Sequence, residues 1–184
     1  MGDTIKPRLL SAGADCSRVM VIDDGDQALT MMDARLEEAI IQTKARLVVL
    51  DLIQGFLGAD VDMHRANEIR PLMKRVALLA EKYHCTAVLK DATTIVARED
   101  DLVYINQSGN DGMATGGSGD VLAGMITGLL GGGLAAHEAA VHGVYLHGLA
   151  GDHARRDLGA YSMIASDIIA HIKDVTGGNY EPVL

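Results

Sequence analysis

Cysteine is scarce: the 184 residues contain Cys16 and Cys85 only, far apart and without a CxxC spacing. That excludes a disulfide framework and a thiolate zinc site, and it fits a reducing cytoplasm. Positive charge is in short supply too, with 16 Lys and Arg against 25 Asp and Glu and a formal net charge of −9. A surface that tracks phosphates along a strand needs clustered cations, so nucleic acid is not an expected partner. Long apolar runs are missing as well. The longest charge-free stretch, 121–136, is broken by Gly131-Gly132-Gly133 and falls short of the roughly 20 apolar residues of a membrane span. Residues 1–6 carry no apolar segment like a secretory signal, so the expectation is a cytoplasmic protein without a membrane partner. No repeat and no low-complexity linker occurs, and the length and 48% hydrophobic content suit one domain over 1–184.

Short apolar runs stand at Val19-Met20-Val21-Ile22, Leu47-Val48-Val49-Leu50 and Thr86-Ala87-Val88-Leu89, each apolar on both faces, the pattern of buried parallel strands. Helical spacing separates them: Leu36, Ala39 and Ile40 after an N-cap at Asp33, then Ile69, Met73, Val76, Leu79 and Ala80. Pro71 falls inside the second pattern, where it starts the regular helix or kinks it. Thr94-Ile95-Val96-Ala97 and Val103-Tyr104-Ile105 flank the polar Arg98-Glu99-Asp100-Asp101 and predict a hairpin at a sheet edge. Three helices follow, over 118–131, about 135–156 and about 162–174, punctuated by the glycine triplet and by Leu158-Gly159-Ala160. The alternation predicts an α/β fold: a three-layer α/β/α sandwich, Rossmann-like or ribokinase-like, with a mainly parallel sheet of about five strands.

The most informative segment runs from Asn110 to Gly124 and contains Gly116-Gly117-Ser118-Gly119-Asp120 immediately before an apolar helix. Closely spaced glycines let the backbone approach a ligand, and a helix start offers unpaired N–H donors with partial positive charge, so an anion, most naturally a phosphate, is the expected guest. Asp120 is out of place beside a phosphate unless it serves as a base or a metal partner, and it is assigned that chemical role. A tight turn with Asp120 capping the helix stays open as the plain alternative.

Four ordered stretches between about Ala87 and Ile172 carry a resemblance: Val88 to Val96, Gly109 to Gly124, Val144 to Asp152, and Ser162 to Asp167. There the chain resembles the ribokinase-like ADP- or ATP-dependent NAD(P)H-hydrate dehydratases. The resemblance implies that Lys90, Asp91, Ala92, Thr93 and Thr94, with Gly119, contact an adenine nucleotide (ADP, ATP or AMP), accompanied by magnesium. It implies too that Asp120 faces a hydrated nicotinamide and takes the proton of its hydroxyl, which is phosphorylated before the phosphate leaves. Backbone N–H groups of Gly117, Ser118 and Gly119 would hold the transferring group, with Gly116 also assigned to the cofactor site. The first half of that family's pattern does not occur here, so the expectation is a nucleotide-binding domain, with ADP or ATP as cofactor, rather than a complete lyase.

Residues from about Asp3 to Leu89 resemble instead the RepA-like type of RecA-like P-loop ATPases, chiefly over Arg46 to Arg75, with Leu47-Val48-Val49-Leu50-Asp51 in the place of a Walker B strand. No G-x-x-x-x-G-K-[ST] occurs, so the phosphate cradle of that family is lacking. Two halves, 1–89 and 90–184, from different α/β families imply a recombined or engineered chimera, and a stable fold without enzymatic activity is the alternative to nucleotide binding. A helicase-type homo-oligomer or DNA contact is a third reading, which the charge disfavours. His137, His142, His147 and His153 are not spaced to stack as metal ligands on one helix face, and no metal ligand is assigned. The scattered methionines, among them Met113, Met125 and Met163, read as core fillers, and Glu99-Asp100-Asp101 as a solvated turn.

Overall fold

The computed structural model describes residues 33–44, 66–100 and 102–177 continuously and residues 7, 10, 11, 13, 15–20, 22 and 29 in pieces; over 66–73 and at 18 and 75 it describes the backbone alone. The chain divides into two compact units, Met1–Met63 and His64–Leu184.

In the first unit, Asp33 starts helix α1 (Ala34–Thr43) as the sequence predicts. Its carboxylate accepts the Arg35 amide at 2.9 Å and pairs with the Arg35 guanidinium at 2.7 Å, supplying an acceptor to a first-turn N–H that has none inside the helix. Leu36 is the buried position of this helix. Of the expected first strand, Val19, Met20 and Ile22 lie outside any strand, and Val19 and Met20 are exposed. The expected second strand, 47–50, and Asp51 lie outside the described residues.

The second unit begins with α2 (Ala66–Tyr83), which runs through Pro71 rather than starting at it. Three short strands follow, β1 (Ala87–Leu89), β2 (Ile95–Ala97) and β3 (Val103–Ile105), then helices α3 (Ser118–Gly131), α4 (Ala136–Leu158) and α5 (Ala165–Thr176). The hairpin is present: β2 and β3 pair antiparallel with Val96 opposite Tyr104, and Arg98 holds Asp100 across the turn, Nε to Oδ1 2.7 Å.

The expected parallel sheet of about five strands is not what forms. The described residues make one three-stranded sheet, ordered β1-β2-β3, and β1 pairs antiparallel with β2, Val88 opposite Val96. Connection length explains the correction. Only residues 90–94 join β1 to β2, whereas a parallel crossover needs about a dozen residues or more. The described architecture is mostly helical, with this small sheet beside the helices.

Helix α4 organises the core through two stripes at helical spacing. Ala140 and Val144 pack with Val96 of β2 and with Leu122 and Ile126 of α3. Leu146, Ala150 and Ala154 pack with Met113, Met163, and Ile168 and Val175 of α5. Two stripes on one helix let it serve both neighbours, and each fully buried Val or Ile contributes roughly 1.5–3 kcal/mol. Met113 and Met163 are core fillers as expected, at 8% and 4% exposure.

Candidate functional site

Gly117 caps the start of α3 with φ 88°, a left-handed backbone that glycine adopts without the penalty of a β-carbon. It brings no side chain to the helix start, so among the described residues no side chain caps the first turn. The Ser118 amide is engaged by the Thr115 carbonyl at 3.3 Å, and the first i to i−4 bond is Val121 to Gly117 at 3.1 Å. The amides of Gly119 and Asp120 therefore lie in the first turn, where the helix itself supplies no acceptor. Gly116, Gly117, Gly119 and Asp120 are exposed, and Ser118 alone of the five is buried, at 1%. The helix begins at Ser118 as the sequence predicts, and Asp120 stands in its first turn.

Lys90 leaves the end of β1 and lies against this turn: a β-carbon built on Gly119 would meet Lys90 Cδ at 3.7 Å. Asp91, Ala92 and Thr93 form the bend after it, with Ala92 and Thr93 exposed. Thr94 is 8% exposed and its carbonyl accepts the Asn106 amide at 2.9 Å. The structure thus brings Lys90 to the glycine turn, keeps Asp91 to Thr93 in the same bend, and turns Thr94 into the interior.

Behind the turn stands a polar lattice to whose members the sequence assigned no role, although several lie in the stretches of resemblance. Asn106 Nδ2 donates to the Ser108 carbonyl at 2.8 Å, while its Oδ1 accepts Tyr104 Oη at 3.2 Å and Ser108 Oγ at 3.1 Å. Ser108 Oγ also reaches the Tyr145 carbonyl of α4 at 2.9 Å. The Asp152 carboxylate accepts the Gly109 amide at 3.0 Å and Asn110 Nδ2 at 2.8 Å. A β-carbon at Gly148 would collide with the Ser108 hydroxyl and come within 2.7 Å of the Ser108 carbonyl oxygen. Gly148 and Asp152, four apart on one helix face, are the signal that could have announced this docking.

His147 points from α4 to the turn, its Nε2 3.5 Å from Ser118 Oγ. Burial, and next the nearby Lys90 ammonium, push its pKa down to about 4, while a hydrogen bond to the Ser118 main chain pulls the other way. The ring is neutral at pH 7. His142 instead bonds the Glu138 carbonyl at 2.7 Å, and among the described residues no group of three His, Cys, Asp or Glu side chains could hold a metal ion. Magnesium carried on nucleotide phosphates needs few protein ligands, and the single exposed carboxylate of Asp120 fits that, not a resident metal cage.

Beside Asp120, an open apolar groove of ≈ 470 Å³ runs between α3 and α5, lined by Val121, Gly124, Met125, Ile169 and Ile172. The arrangement offers backbone N–H donors and a lysine for an anion, a carboxylate for a proton, and an apolar wall next to it.

Comparison with known proteins gives two family matches. Residues 60–174 match the NAD(P)H-hydrate dehydratase model, and residues 2–91 match an AAA domain model, so the two overlap across α2 and β1. The Bifunctional NAD(P)H-hydrate repair enzyme Nnr of Moorella thermoacetica is 50% identical over 93 residues, 50% of this chain and 18% of that protein. Its namesake from Thermofilum pendens is 42% identical over 142 residues, 76% of this chain and 26% of that protein. A crystal structure of the ADP/ATP-dependent NAD(P)H-hydrate dehydratase from Bacillus subtilis, co-crystallised with ATP/Mg2+ and soaked with CoA, superposes with TM-score 0.54 at 28% identity, covering 59% of this chain and 40% of that one. The chain therefore spans about a fifth to a quarter of the two curated relatives it matches.

Proposed function

The chain belongs to the NAD(P)H-hydrate dehydratase family, and from that premise we propose that its second unit binds an adenine nucleotide at Gly116–Asp120. The observation that carries the reading is the uncapped, exposed start of α3 with Lys90 laid against it. N–H groups of Gly117, Gly119 and Asp120 would face the phosphates, where the helix start favours negative charge, and the Lys90 ammonium would offset their charge. The bend of Asp91, Ala92 and Thr93 is the strip along which the nucleoside would lie, with Thr94 backing it from the interior. The solved relative that was crystallised with ATP and magnesium supports ADP or ATP as the ligand.

Asp120 would keep its carboxylate free to take a proton from a substrate hydroxyl as a phosphoryl group is transferred to it, a general-base role. Magnesium, when bound, would neutralise phosphate charge and be carried chiefly by the phosphates themselves, which would leave the Asp120 carboxylate to the proton. A hydrated nicotinamide is the substrate proposed from the family, and the adjoining groove is where an apolar ring would fit.

A second reading is favoured by the AAA domain match over 2–91: a chain recombined from two families whose fold persists without ligand or catalysis. Calorimetry with ADP, ATP and AMP, with and without magnesium, separates the two. Saturable binding that Lys90→Ala weakens about tenfold, the scale of one charge-assisted contact, supports the first. No heat at about millimolar nucleotide, an affinity of only about 4 kcal/mol, rules it out.

A further inference from the structure

Ser118 is unlike its neighbours. The glycines and Asp120 around it face solvent, yet this hydroxyl is 1% exposed. Burying a hydroxyl without a partner is costly, so its partner is informative. That partner is His147, itself 4% exposed, with Nε2 3.5 Å from Ser118 Oγ. We infer that His147 is a positioning residue of the nucleotide site, holding Ser118 inward so that the amides on either side of it open toward a phosphate. The inference rests on the nucleotide reading for its consequence, although the hold on the turn can be tested without a ligand.

The geometry makes the hold rigid. His147 is followed by Gly148, which lies on Ser108 with no space for a β-carbon, and Gly151 is packed as closely on Met113. The Asp152 carboxylate then fastens Gly109 and Asn110 to the same helix. These contacts fix the α4 backbone that carries the imidazole against the 106–113 segment. A neutral ring keeps one nitrogen as an acceptor, which suits the Ser118 hydroxyl. A protonated ring would lose the acceptor and place a second cation by Lys90.

The full chain is used for the test, as wild type, His147→Gln, His147→Leu and Ser118→Ala. Two quantities are read: amide hydrogen exchange across 117–121 without ligand, and the Kd for ADP with magnesium. Leucine keeps the volume and removes the polar contact; glutamine can restore it. His147→Leu is expected to exchange faster at Gly119 and Asp120 and to bind ADP about tenfold more weakly, the scale of one buried hydrogen bond, with His147→Gln returning both most of the way. Ser118→Ala, which removes the contact from the other side, is expected to match His147→Leu, and it carries the decision if the leucine variant loses its cooperative melt. Unchanged exchange and an unchanged Kd in a cooperatively folded Leu or Ala variant overturn the inference. If the wild type binds no ADP, the nucleotide reading falls, and the exchange measurement alone decides whether His147 holds the turn.

Discussion

Two segments lead into α3, one ahead of it and one across its first turn, and they are built in opposite ways. From Asn106 to Met113 the chain is stitched: Asn106 uses both ends of its amide, Ser108 reaches the Tyr145 carbonyl, and Asp152 holds Gly109 and Asn110. From Gly116 to Asp120 it is left open, with four of five residues exposed and no side-chain cap on the helix. A segment fastened by side-chain contacts holds its shape, whereas one whose first-turn amides lack a helical acceptor can receive a ligand. The closed segment fixes where the open one begins, and such support by neighbouring polar contacts is what a precise site requires.

The contrast can be broken by substitutions on its two sides. Gly148→Val on the closed side should have the largest effect, because the added atoms would collide with Ser108 side chain and backbone. Overpacking of this kind costs roughly 1–3 kcal/mol or more, and a thermal melt should show a large drop in Tm or loss of the cooperative transition. Asp152→Ala should follow, removing the acceptor of two donors in a half-buried place; about 2 kcal/mol is expected in chemical denaturation. Gly116→Ala on the open side should be nearly silent in stability, within about 0.5 kcal/mol, since nothing lies within 4 Å of the added methyl. A Gly116→Ala variant as destabilised as Gly148→Val would erase the distinction between the two segments.

The fold was legible where it depends on neighbours in sequence. Asp33 as a cap, the β2–β3 hairpin, and the start and end of α3 at Ser118 and Gly131 all appear where pattern and turn chemistry put them. The sheet was misread at β1, because Ala87-Val88-Leu89 is apolar on both faces and a buried strand reads the same whether its partner runs parallel or antiparallel. The spacing of residues 90–94 held the answer, being too short to cross over. At the site, the glycine turn and a chemical role for Asp120 could be read from the residues themselves, whereas the role of Lys90 rested on family resemblance. His147 was weighed only as a metal ligand and set aside, since nothing in its spacing points to a serine 29 positions earlier.

By itself the sequence determined where α1 and α3 begin, that the turn at the start of α3 is rich in backbone donors, and which family the chain resembles from about Ala87 onward. These are local properties, set by φ preferences, caps and apolar period over a few residues. Only the tertiary structure decided that β1 runs against β2, that Lys90 reaches Gly119, and that His147 meets Ser118. Those outcomes depend on how α4 settles on its neighbours, through glycines too small to keep them apart and a carboxylate that fastens what they admit.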